Sequence, residues 1–138
     1  RVTYEMMKQY RNVLKDPNVS KHDKEHVEWL ENVEKIVFSK TLKNSDWHNT
    51  RVISDNIAEE IAKLKEQPGK DLVIFGSPML AKTFMELGLI DEYQLTISPV
   101  ILGSGKTVFD DVKNKINLTL LKSQTFKAGV VALHYKVT

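Results

Sequence analysis

The chain has 138 residues, 41% of them hydrophobic, with 20 Lys plus Arg against 18 Asp plus Glu and a formal net charge of +2. That length fits one soluble domain with a real core, and the scattered, nearly balanced charges give no nucleic-acid surface. The absence of cysteine excludes disulfides, thiol nucleophiles and thiolate metal sites, no apolar run nears the roughly 20 residues that span a bilayer, and the opening RVTYEMMKQY has no signal-peptide core, so the expected location is cytoplasmic.

In chain order, TYEMMKQYRNVLK (3–15) reads as an amphipathic helix with Met6, Met7, Tyr10, Val13 and Leu14 on its stripe, Thr3 placed to cap it and Asp16-Pro17 to stop it. KHDKEHVEWLENV (21–33) is polar with Val27, Leu30 and Val33 on one side, a short helix or helical loop. KIVFSKT (35–41) is β-branched and aromatic and predicts a buried strand ending in hydroxyls. LKNSDWHNT reads as loop and RVIS as a short strand. DNIAEEIAKLKEQPG (55–69) is the clearest helix, with Ile57, Ile61 and Leu64 as its stripe and Pro68-Gly69 as its stop.

DLVIF (71–75) predicts a strand, and PMLAKTFMEL (78–87) a helix with Ser77 as N-cap, Pro78 at its first position and Gly88 as its left-handed end. EYQLTISPV (92–100) predicts a strand. NLTLLKSQTF (117–126) and VVALHYKV (130–137) predict an antiparallel hairpin around Lys127-Ala128-Gly129. Helices alternate with strands to about residue 100 and strands then dominate. The expected fold is α/β, a mostly parallel sheet closed by an antiparallel C-terminal hairpin, in a single domain over 1–138.

Two glycine turns invite a functional reading. The tail of PVILGSGKTVFDD matches a P-loop at Gly105, Lys106 and Thr107, but the first glycine of that motif falls on Val100 and the downstream VFDDVKNKIN is a poor helix. A nucleotide hydrolase is therefore disfavoured. The second turn, VIFGSPMLAKTF, leads a strand through Gly76-Ser77 into a helix whose free amides suit an anion. Arg1 and Thr3 at the first helix start, and Ser39-Lys40-Thr41 at a strand's C-terminal end, are two more anion-friendly positions. Three such positions fit a ligand with separated phosphates, such as NADPH.

RVTYE, KIVFSKT, the long block LKEQPGKDLVIFGSPMLAKTFMELGLIDEYQLTISPVILGSGKTVF and KAGVVALHYKV together resemble the dihydrofolate-reductase-like superfamily, and within it the RibD C-terminal domain family. The resemblance implies a three-layer fold, an NADPH-dependent reductase that needs no metal, and a homodimer. It implies further that Arg1 and Thr3 meet the cofactor pyrophosphate and that Ser39, Lys40 and Thr41 meet the adenosine 2′-phosphate. Gly76, Ser77, Pro78, Met79 and Leu80 would cover the cofactor phosphates, and Gly103, Ser104, Gly105 and Lys106 would form a turn beside the substrate, so that GSGKT is a family turn rather than a P-loop.

There are departures from the family pattern. Gly76-Ser77 stands where the family has a glycine pair, and Phe75 stands where riboflavin-pathway reductases commonly carry an acid. The family's first strands precede RVTYE, and the expectation is a chain continuing N-terminal to Arg1. The substrate class implied is a small heterocycle or carbonyl compound, either pterin- or dihydrofolate-like or a riboflavin-pathway pyrimidine, with a non-catalytic NADPH-binding or dimerising relative as the alternative. No proton donor is assigned. His22 and His26 read as solvated, His134 as a packed or exposed strand residue, and His48 beside Trp47 as the histidine to test. Asp91-Glu92 read as solvating a strand start, and Asp110-Asp111 as turn residues.

Overall fold

A computed structural model describes residues 1–75, 77–110 and 112–138. The chain divides into two compact units, Arg1–Gly76 and Ser77–Thr138.

The first unit holds helix α1 (Val2–Tyr10), a 3₁₀ turn (Arg11–Lys15), helix α2 (Lys21–Asn32), strands β1 (Lys35–Phe38) and β2 (Thr50–Ile53), and helix α3 (Ile57–Lys65). Its core is Val27 and Leu30 of α2, Val37 of β1, Ile53 of β2, Ile61 and Leu64 of α3, and Trp47. The helical pairs are three residues apart, the spacing that puts both members on one face.

Helix α2 is well capped, which explains why so polar a segment is fully helical. Ser20 accepts a hydrogen bond from the Asp23 amide at 3.0 Å, and its hydroxyl donates to Asp23 Oδ2 at 2.6 Å. At the other end Lys35 Nζ donates to the carbonyls of Leu30 at 2.7 Å and Val33 at 2.8 Å, satisfying acceptors that a helix end leaves open.

Strands β1 and β2 pair in parallel, Lys35 opposite Thr50 and Phe38 opposite Ile53. Parallel neighbours need a crossover, usually a helix. Here residues 39–49 form it without helix or strand. A connection of that kind must satisfy its backbone through side chains and neighbours.

Three expectations change in this unit. Thr3 lies inside α1, and Arg1 is the N-cap residue, with no side-chain cap. The Met6–Leu14 stripe is not a core face: α1 has no buried residue, Met6 is 65% exposed, and Tyr10 of the stripe reaches α2 through Asp23 and His26 at its half-buried edge. Residues 71–75 join no ladder among the described residues, and Leu72, Val73 and Phe75 are exposed. A strand exists only through a partner, so β-rich composition alone does not make one.

The second unit holds helix α4 (Pro78–Glu86) and strands β3 (Glu92–Ile97), β4 (Leu118–Thr125) and β5 (Val131–Val137). Ser77 is the N-cap residue and Pro78 opens the helix, as the sequence predicts. Gly88 sits at φ +64°, with its amide bonded to Met85 O at 3.2 Å and the Leu89 amide to Phe84 O at 2.9 Å. This is the Schellman pattern that glycine permits at a helix end. The sheet is antiparallel in the order β3-β5-β4, with Tyr93 opposite Tyr135 and an irregularity between Leu120 and Lys122. The hairpin at 127–129 forms as expected, closed by Phe126 N–H to Val130 O at 2.9 Å. Parallel pairing thus comes first and antiparallel pairing last, in two separate ladders among the described residues. Among the described residues of this unit, Phe84 and Met85 are the buried apolar ones.

Candidate functional site

Strand β1 delivers Ser39, Lys40 and Thr41 directly into the crossover. The Ser39 amide still bonds to Ile53 O at 3.0 Å, so the start of the loop is tied to β2. The Ser39 hydroxyl accepts from the Leu42 amide at 3.0 Å and from the Thr41 amide at 3.3 Å. Thr41 Oγ1 accepts from Arg1 Nη1 at 3.0 Å and lies 3.4 Å from Ser39 Oγ. A hydroxyl has two acceptor sites and one proton. Two amides fill both acceptor sites of Ser39, so its O–H is the donor toward Thr41, and the Thr41 O–H is the one left for an oxyanion. Arg1 and the exposed Lys40 add positive charge. The structure therefore brings together Arg1, Ser39 and Thr41 in one hydrogen-bonded cluster, with the exposed Lys40 between the two hydroxyl residues in the chain.

The crossover is held along α1. Arg1, Tyr4, Lys8 and Arg11 follow one another at three- or four-residue steps, one face of a helix. Their partners follow in the same order on the loop. Arg1 donates to Thr41, the Tyr4 hydroxyl bonds to Ser45, and Lys8 pairs with Asp46. The Tyr4 ring lies 5.7 Å from that of Trp47, and the Arg11 guanidinium sits 5.6 Å over the indole. The hydrogen bond from Lys8 holds the Asp46 carboxyl below the usual carboxylate range and lifts the Lys8 ammonium above its own. Sequence reading left Tyr4, Lys8, Ser45, Asp46 and Trp47 aside. The one available signal was a tryptophan in an otherwise polar loop, a position that calls for a buried pocket.

Trp47 is 2% exposed. Its indole N–H donates to Glu31 Oε2 at 3.2 Å, and Lys35 Nζ lies 4.7 Å over its ring. Burial pushes the Lys35 pKa down, with the Glu31 carboxylate opposing the shift. His48 reaches the same carboxylate, Nδ1 to Oε2 at 3.5 Å, from an exposed position. His26 is half-buried rather than solvated. It stacks on Trp29 at 5.7 Å and on His22 at 6.4 Å and meets Tyr10 edge-on at 5.5 Å. His134 Nε2 bonds to Glu92 Oε2 at 2.6 Å.

Thr3 is half-buried in the first turn of α1, two residues from Arg1. Gly76 lies outside the described residues, as does Asp111. In the second unit Ser77 makes no side-chain cap to α4, Pro78 and Met79 are exposed, and Leu80 is half-buried. Gly103, Ser104, Gly105 and Lys106 form an exposed loop, with Gly103 at φ +73°. Residues 107–110 are not helical, so the helix that a P-loop requires after Lys-Thr is missing there. Among the described residues no group of three or more His, Asp or Glu is placed to hold a metal ion, and no helix is long and apolar enough to cross a membrane.

Phe75, just before the second glycine turn, packs edge-on against Trp29 with ring centroids 5.7 Å apart.

Together the ladders and helices define a dihydrofolate-reductase-like α/β fold, a reductase-like architecture. A structure assigned provisionally to riboflavin biosynthesis, from Shewanella sp. PV-4, matches with a TM-score of 0.66 at 19% identity, covering 89% of this chain and 83% of that one. A pyrimidine reductase-like protein from Corynebacterium diphtheriae matches with a TM-score of 0.54 at 20% identity, over 75% of this chain and 49% of that one. The model of the RibD C-terminal domain matches residues 2–132, and the chain belongs to that family. It is 42% identical over 135 residues to the uncharacterized protein YyaP of Bacillus subtilis (strain 168), covering 98% of this chain and 70% of that protein. It is 38% identical over 74 residues to the uncharacterized protein YwjB of the same organism, covering 54% of this chain and 42% of that one.

Proposed function

We infer that the protein is an NADPH-dependent reductase that transfers a hydride to a small heterocyclic or carbonyl substrate. The observation that carries this is the Arg1–Thr41–Ser39 cluster, with Lys40, at the β1 end of a RibD C-terminal fold. The Thr41 hydroxyl, an ammonium and a guanidinium suit a phosphomonoester dianion, and NADPH carries one on its adenosine ribose while NADH does not. When bound, the cofactor supplies the hydride. The chain's own part is to grip the phosphates and fix the approach of cofactor to acceptor. Thr3 beside Arg1, and Ser77 to Leu80 at the α4 start, are the positions for the remaining phosphates. Gly103 to Lys106 form the substrate-side turn, and two copies of the chain make the working unit.

Phe75 against Trp29 favours a substrate other than the ribosylated pyrimidine, because no carboxylate stands there to meet its polar groups. A pterin or a small carbonyl compound fits better. The test is a titration with NADPH and, separately, with NADH, followed by calorimetry or tryptophan fluorescence. Binding of NADPH at least tenfold tighter is the expected result. Equal binding removes the 2′-phosphate role from residues 39–41, and no binding of either removes the reductase reading.

A further inference from the structure

The crossover between β1 and β2 has no secondary structure of its own, yet it carries the hydroxyls of the candidate phosphate site. Within 39–47 its own fastenings are short-range: amides of residues 41, 42 and 47 to the hydroxyls of Ser39 and Ser45. Such turns fix local shape but leave the loop's position along the molecule open. At the far end the buried Trp47 is tied to Glu31 of α2, and over 41–46 position comes from α1. Tyr4 to Ser45 and Lys8 to Asp46 clamp the loop one and two turns beyond the Arg1–Thr41 bond, and the Tyr4 ring continues the contact to buried Trp47.

We propose that Tyr4 and Lys8, through Ser45 and Asp46, are positioning residues that set the cofactor selectivity of the site, by holding Thr41 and Arg1 where a ribose phosphate meets both. The inference rests on the NADPH reading above. Neither Tyr4 nor Lys8 needs to touch the cofactor. A loop released from α1 lets Ser39 keep its place at the strand end, through the Ser39–Ile53 backbone bond, while Thr41 drifts from Arg1. The phosphate then loses convergent donors at once, and the parts shared by both cofactors lose nothing.

The experiment uses the full chain with Tyr4→Phe, Asp46→Asn and the double variant. Tyr4→Phe removes the hydroxyl of one clamp and Asp46→Asn the charge of the other, each with little change in volume. The dissociation constants for NADPH and NADH are measured separately, and far-UV circular dichroism and thermal unfolding verify the fold. Glu59→Gln, which removes the 2.8 Å Lys63–Glu59 pair on α3, is the control for loss of an ordinary surface pair.

The expected result is NADPH binding weakened about three- to tenfold in each single variant, NADH binding unchanged within about twofold, and a normal NADPH-to-NADH ratio in the control. Both cofactors weakening together, or neither, overturns the positioning role while the wild-type preference for NADPH keeps the reductase reading. A wild-type protein that binds NADPH and NADH equally overturns the positioning role together with the 2′-phosphate role of residues 39–41, and one that binds neither overturns the reductase reading as well. Where Tyr4→Phe lowers the melting temperature too far for titration, Asp46→Asn decides alone, since Asp46 is exposed and outside the core.

Discussion

The indole N–H of Trp47 donates to the Glu31 carboxylate across 3.2 Å, and so ties the β1–β2 crossover to helix α2. The same carboxylate group receives Arg11 Nε at 2.6 Å and His48 Nδ1 at 3.5 Å. One acid on α2 thereby collects the 3₁₀ turn and the far end of the loop. Trp47 supplies the buried ring that makes the arrangement a core rather than a surface network.

Replacing Trp47 is therefore expected to cost far more than its loop position implies. Truncating a buried tryptophan costs about 3–5 kcal/mol. Trp47→Ala should lower the unfolding free energy by about that amount, enough to leave a marginal fold. Trp47→Phe keeps most of the apolar area but leaves Glu31 one donor short, at a cost of about 1–3 kcal/mol. Urea unfolding of the three proteins, followed by circular dichroism, checks the order wild type, Phe, Ala. Equal stability of Trp47→Phe and wild type would remove the indole–carboxylate bond from the account.

Thr41→Ala deletes the hydroxyl that bridges Arg1 and the loop, and Lys40→Ala deletes the exposed charge beside it. Hydrogen bonds to charged groups contribute about 1.5–3 kcal/mol, so Thr41→Ala should weaken NADPH binding by roughly tenfold or more and NADH binding little. Lys40→Ala should act mainly at low salt, with its effect shrinking as ionic strength rises, because an exposed charge is screened within about 10 Å at 0.1 M. Titrations at two salt concentrations separate these outcomes. A uniform loss for both cofactors would place the two residues outside the selectivity determinants.

Much of the fold was legible because its signals are local. Ser77-Pro78 at the start of α4 and Gly88 at its end are cap chemistry, and caps depend on neighbours a few residues away. The hairpin at 127–129 is legible for the same reason. The strand expected at 71–75 failed because pairing is decided by distant residues that composition does not name. The polar face of α1 was missed because Arg1, Tyr4, Lys8 and Arg11 look like a solvated stripe until the loop at 41–47 is laid against them. Of the candidate site, residue types at a strand end were readable, and the Arg1–Thr41 bond across forty positions was not.

Acid should loosen the start of α2. Hydrogen bonds from the Ser20 hydroxyl, then from Tyr10, hold the Asp23 carboxyl below the usual carboxylate range. A group whose folded pKa is depressed contributes stability that is present above its unfolded pKa, near 3.9 for an aspartate, and lost as pH falls through the folded value. The window is thus below about pH 4. Asp23→Asn should lower stability at neutral pH and flatten its fall in acid. Unfolding midpoints from pH 2 to 7 for both proteins test this, and parallel curves would count against Asp23. Tyr10 gives the mirror case: the Asp23 bond raises its pKa, so its contribution is full below about pH 10 and lost as pH rises through the folded value.

Two glycines separate backbone strain from steric contact. Gly88 sits at φ +64° with open space where a Cβ would stand, and Gly129 at φ +82° with Pro99 Cγ only 3.2 Å from that point. An L-residue in the left-handed region costs about 1–2 kcal/mol. Gly88→Ala should therefore lose about 1 kcal/mol, the backbone cost alone, with α4 otherwise intact. Gly129→Ala carries the same cost and must also push back the Pro99 ring, which lies in the segment after β3 while Gly129 turns β4 into β5. The pressure falls between two parts of the antiparallel sheet, and the loss should exceed that of Gly88→Ala by about 1 kcal/mol or more. Thermal unfolding of the two variants against wild type measures the difference. Gly129→Ala losing no more than Gly88→Ala would show that the Pro99 ring yields freely, and would make the turn at 127–129 a matter of backbone conformation alone.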